Sequence, residues 1–179
     1  MRKTILLLFA LSACGGSGDS QGASIRLSIG GVPHEVPGVY AEFQKFLGGS
    51  YVLDLDTDKP GTEYGSLMSV FLATDKTRLT ELVGKPLERS YAQDNPQKLF
   101  MNVDANTNYI ESGKKFYQAY TMKVTVRSVA DKKIVLDLQG TYLEFALPLP
   151  DDDAAAPPTG KEVQVSGQFT VPLISDESN

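Results

Sequence analysis

Cysteine and histidine each occur once in this 179-residue chain, and tryptophan does not occur at all. A single Cys excludes an intramolecular disulfide and a thiolate zinc site, and a single His excludes a multi-histidine metal centre. Long hydrophobic runs are missing too. The longest unbroken one is Ile5 to Leu11, far short of the roughly 20 residues that a membrane-spanning helix needs. Clustered cations are lacking: 17 Lys and Arg stand against 22 Asp and Glu, a formal charge of −5. Binding to a phosphate backbone requires several grouped cations to release counterions, so nucleic acid is excluded as a partner. Neither a Gly-x-Ser-x-Gly elbow nor a phosphate-cradling Gly-rich loop between strand and helix is found. Without Trp, the aromatic subsites usual in a glycoside hydrolase are harder to build. What remains is an ordinary globular composition with 41% hydrophobic residues, enough for one core.

Cationic Met1-Arg2-Lys3 precedes the apolar run, and Leu11-Ser12-Ala13-Cys14 follows it. A run this short behind a charged start reads as an export signal. The Leu-Ser-Ala-Cys tetrad resembles the lipobox of bacterial lipoproteins. That resemblance implies that residues 1–13 are a signal peptide and that Cys14 becomes the first mature residue. It also implies a diacylglycerol on the Cys14 thiol and an N-acyl chain such as palmitate on the new amino group. In that family an Asp directly after the Cys signals inner-membrane retention; this chain has Gly15, which implies the outer membrane in a Gram-negative cell. Two or three acyl chains anchor stably, whereas one binds reversibly. Loss of Arg2 and Lys3 leaves 15 basic against 22 acidic side chains, or −7. Anionic headgroups would repel such a chain, so the lipid is the expected membrane contact. Residues 14–23 form the lipidated Cys and a Gly/Ser tether whose nine flexible residues reach roughly 15–18 Å.

Beyond the tether the pattern is that of strands. Ser24 to Ile29 alternates apolar with polar, and Gly30-Gly31 permits a tight hairpin into Val32 to Val36, where Pro33 and Pro37 favour an edge. Val39, Phe43, Phe46 and Leu47 recur at helical spacing and predict a short helix, with a bent strand ended by Gly48-Gly49 as the alternative, and Thr77 to Val83 predicts a helical turn or two. Tyr51, Leu53 and Leu55 alternate with Asp54 and Asp56, and Ser66 to Ala73 reads as a strand buried on both faces. Three long antiparallel strands are expected at Phe116 to Val129, Lys133 to Phe145 and Lys161 to Leu173. The first of these should turn Tyr120, Met122, Val124 and Val126 to one face. Gly49-Ser50-Tyr51, Gly140-Thr141-Tyr142 and Gly167-Gln168-Phe169 each set Gly two residues before an aromatic, which suits sheet curvature. The sharper alternative is an aromatic platform for sugar. The two ends of the domain, closing with Val165 to Val171 and its Gly-x-Phe, resemble small all-β bacterial lipoproteins, which supports the fold more than any function.

Oxygen ligands two residues apart make Asp54, Asp56 and Asp58 the metal candidate, with Ca²⁺ as the cation. Lys59 stands where an EF-hand needs Gly and Gly65 where it needs Glu, so the stretch is not an EF-hand. Its plainer reading is a solvent-facing strand with a turn at Asp58 to Gly61. Asp151-Asp152-Asp153, in a Pro/Ala-rich loop, is a second candidate for a partner or cation. His34 is the one residue around which a hydrolase would be organised, provided that a Ser or carboxylate lies within hydrogen-bond reach.

The fold expected is all-β: an antiparallel β-sandwich or open barrel of seven to nine strands with one or two short helices. Residues 24–174 form a single domain and 175–179 a disordered tail. The function expected is that of a non-enzymatic, lipid-anchored cell-envelope protein binding an envelope protein, a glycan or a ligand through its sheet or loops. No cofactor is expected beyond the lipid on Cys14. The alternative is a calcium- or carbohydrate-binding module using Asp54, Asp56 and Asp58.

Overall fold

The computed structural model describes residues 22–57, 67–91, 108–146 and 160–178. Cys14, Asp58 and Asp151, Asp152 and Asp153 lie outside them. The chain forms nine strands: β1 (Ala23–Ile29), β2 (Val32–Lys45), β3 (Tyr51–Thr57), β4 (Leu67–Thr74), β5 (Pro86–Ser90), β6 (Tyr109–Ser112), β7 (Lys115–Ala130), β8 (Lys133–Ala146) and β9 (Lys161–Asp176). Pairing runs β7-β6-β4-β3-β2-β1-β9-β8 and returns from β8 to β7, every step antiparallel. The result is a closed eight-strand barrel with β5 as an extra strand beside β7, so the sandwich and the open barrel both give way to closure. Closure removes the sheet edges that an open barrel would leave unpaired.

Short helices are replaced by strand and by two 3₁₀ turns, Leu47–Gly49 and Leu79–Leu82. The stretch from Val39 reads as helix because positions four apart share a face in both periods, and Val39 and Phe43 satisfy either. Seven registered pairs with β3, from Val39↔Thr57 to Lys45↔Tyr51, decide for strand. Val39, Ala41 and Phe43 are fully buried. Gly38, at φ 74°, sits where β2 slips register against β1, and that bulge changes which parity faces inward. Pro33 and Pro37 fall in the part of β2 that β3 does not reach, where a missing donor leaves no gap.

The inner face of the barrel is a continuous apolar core that includes Leu27, Phe43, Leu53, Leu72, Val124 and Leu136. An eight-strand barrel has an interior just wide enough for side chains to fill. Strand β4 points Met68, Val70 and Leu72 inward but leaves Ala73 exposed, so it is buried on one face and not on both. In β7 the register slips between Ala119 and Thr121, which turns Tyr117 and Ala119 inward ahead of Met122. Tyr120 is thereby sent outward, contrary to its sequence spacing, where it packs on a second cluster of Phe116, Leu143 and Phe145. Gly140 faces this bulge, and a Cβ there would run into the Thr121 carbonyl oxygen. Tyr51, Tyr142 and Phe169, offered as a sugar platform, are all buried in the core.

Leu79 and Leu82, both fully buried, close the barrel at one end. The chain's last described residues are tied down there. Glu177 N–H donates to the Phe43 carbonyl at 2.8 Å, its carboxylate accepts from Lys45 N–H at 2.8 Å, and Ser178 Oγ accepts from Leu79 N–H at 2.9 Å. Ser175 and Asp176 belong to β9 itself, so the expected disordered tail fails for residues 175–178.

Candidate functional site

The opposite end of the barrel is the mouth. Here the β1–β2 turn at Gly30-Gly31, the β6–β7 turn at Gly113-Lys114, the end of β8 and the start of β9 surround a cavity of about 580 Å³. Strand parity dictates what points into it. His34 shares its face with buried Val36, Ser112 with buried Ile110, Tyr117 with buried Ala119, and Glu144 with buried Tyr142. Each polar residue thus lies on the inward parity near the mouth, and the next inward residue toward the core on its strand is fully buried. On these four strands the interior changes from apolar to polar within one residue pair.

These side chains are connected. His34 Nδ1 lies 2.8 Å from Ser112 Oγ, and the His34 ring meets the Tyr117 ring edge-on, centroids 6.2 Å apart at 71°. Glu144 Oε1 accepts from Lys115 Nζ at 2.8 Å, and the Tyr117 hydroxyl is near enough to feel that carboxylate's charge. Burial, and then the Glu144 charge, pushes the Tyr117 phenol upward, so it stays protonated as a donor. The hydrogen bond to Glu144 likewise holds Lys115 above its ordinary value. Tyr142, next inward from Glu144, has a buried hydroxyl without a hydrogen-bond partner among the described residues, and burial drives its pKa up. The serine that a hydrolase around His34 would need is therefore present. Among the described residues no carboxylate hydrogen-bonds to that ring. The group is a fixed array of donors and acceptors around an open concavity.

The metal candidates occupy another face. Asp54 and Asp56 point outward from β3, Asp54 opposite Glu42 and Phe71 and Asp56 opposite Tyr40. Burial first, then the charges of Asp56 and Glu42, raise the Asp54 carboxyl to about 6. Burial also raises Asp56. Carboxylates two apart on one strand face sit roughly 7 Å apart, too far to share a cation without further ligands. Among the described residues no group of three or more metal-ligating side chains gathers anywhere, and Asp58 lies outside them. A cavity of about 450 Å³ lies against the wall at Arg89, Thr121 and Gln139, and another of about 380 Å³ between β4 and β5 at Phe71, Tyr91 and Asn108. Neither gathers inward-facing polar groups as the mouth does.

Sequence reasoning found His34 but missed Ser112, Tyr117 and Glu144. The hairpin Tyr109 to Tyr117, turning at Gly113-Lys114, alternates too weakly before Phe116 for periodicity to mark it as strand. A polar residue on the inward parity at a strand end was the available signal. No protein-family model, curated protein or solved structure matches the chain.

Proposed function

We propose that this is a non-enzymatic cell-envelope protein, lipid-anchored at Cys14, whose barrel binds a ligand or envelope component at its mouth. The observation that carries the binding half is the inward polar set His34, Ser112, Tyr117 and Glu144 standing over a filled apolar core. A concavity with a few convergent polar groups is the usual form of a small-molecule site. The anchoring half rests on the lipobox of residues 11–14. The wall supports attachment over spanning: β7, β8 and β9 carry Lys123, Arg127, Asp137, Gln164 and Gln168 outward, whereas a membrane-crossing barrel presents an apolar band there. A Gly at position 15 favours the outer membrane where the cell has one.

The test joins both halves. Alkyne-palmitate should label the wild-type chain and leave Cys14→Ser unlabelled and released from envelope membranes. Affinity capture of the intact lipoprotein from solubilised envelopes should recover a bound species that a Tyr117→Phe/Glu144→Gln variant loses. Equal labelling of Cys14→Ser would remove the anchor, and equal recovery by the mouth variant would remove the site.

A second reading has one observation in its favour. Asp54 ionises reluctantly beside Asp56 and Glu42, and a cation would relieve that repulsion. A calcium-binding module using Asp54, Asp56 and Asp58 would melt at higher temperature in millimolar Ca²⁺, and the triple Asp→Asn variant would not respond. The carbohydrate form of this reading loses its aromatic platform to the core.

A further inference from the structure

We infer that the mouth takes a small amphiphile, one oxyanion on a short apolar body; this rests on the mouth being the ligand site. The polar half of the argument is charge. Among the described residues around the cavity, Lys114, Lys115 and Lys161 stand against one carboxylate, that of Glu144. Lys115 already engages that carboxylate, which leaves no unpaired anionic ligand for a cation among the described residues. Lys114 and Lys161 form no ion pair among the described residues. With His34 and Ser112 they offer hydrogen-bond donors to an oxyanion, and charged donors make the stronger bonds.

The apolar half is the opposite wall. Ile29, Val32 and Val163 line the same cavity, and Val32 is 56% exposed, the most exposed of the large hydrophobic side chains described. An apolar body laid against Val32 would remove that surface from water. The body must be short. Val36, Ile110, Ala119 and Tyr142 floor the mouth with no exposure to solvent, so the interior has no channel for a long chain. A volume of about 580 Å³ suits a small molecule. A free carboxylic acid and a phosphate monoester carry the same recognisable chemistry.

The test uses the full-length Cys14→Ser chain, in which no acyl group of the protein competes for the mouth. Isothermal titration compares octanoate, octyl phosphate, octanol and acetate. Octanoate, octyl phosphate or both should bind saturably, with octanol and acetate weaker by about tenfold or more, the loss expected when a charged or an apolar partner is removed. A clear preference between the two anions identifies the source as carboxylic acid or phosphate ester. Lys114→Gln/Lys161→Gln and Val32→Ser, all at exposed positions that leave the melting temperature unchanged, should each weaken binding about tenfold. Octanol binding as well as octanoate, unchanged affinity in the double lysine variant, or no binding by either anion would overturn the inference. If the anions fail while the Tyr117→Phe/Glu144→Gln variant still loses its captured species, the mouth remains the site and only the ligand class falls.

Discussion

Asp54 carries its charge at a cost, and the pH dependence of stability should expose it. Its carboxyl titrates near 6 in the folded chain against 3.8 ordinarily. A raised acid binds its proton more tightly when folded, so stability falls as pH rises through the window from 3.8 to about 6 and stays lower above it. The full shift would correspond to about 3 kcal/mol, which partial exposure reduces to the order of 1 kcal/mol. Asp54→Asn should therefore stabilise the protein at pH 7–8, and the gain should vanish below about pH 4; denaturant titrations at the two pH values measure it. The outward orientation of Asp54 was legible from alternation with Leu53 and Leu55. Its desolvation was not, because Phe71 and Glu42 reach it only through pairing with β4 and β2. The meeting of Ser112 with His34 was hidden for the same reason: 78 residues separate them, and only barrel closure brings the two together.

At the scale of elements, legibility followed strand length. Long strands β7, β8 and β9 repeat their alternation often enough for periodicity to identify them to within a few residues. Bulges broke the rest of the reading. One slip in β7 moved Tyr120 to the outer wall, and one at Gly38 reversed which parity of β2 faces inward. No sequence period records a slip, since a bulge is set by how neighbouring strands must bend. Parity on β7 and β8 is open to direct trial. Val124 and Leu136 have no exposure, so Val124→Asp or Leu136→Asp should unfold the domain by burying an unpaired charge. Lys123 pairs with Glu88 at 3.1 Å and Asp137 with Arg127 on the outer wall, so Lys123→Asp and Asp137→Lys should each cost less than about 1 kcal/mol. Thermal melts that ranked the two pairs alike would contradict the inward and outward assignment.

The molecule as a whole joins a polar wall, a filled core and one open end. That combination gathers the inward-facing polar groups at a single rim. It also has a temporal side, which lies in β9. This strand pairs with β8 along its length, with β1 at Ser28 and Ile29, and in parallel with β2, where Phe43 faces Asp176. Strands made first are thus left waiting for the one made last, and contacts so distant in sequence form slowly. Until residues 161–176 have emerged from the ribosome, β1, β2 and β8 each lack a neighbour. The strand that seals the barrel thus sets the clock for folding, since closure waits on residues 161–176.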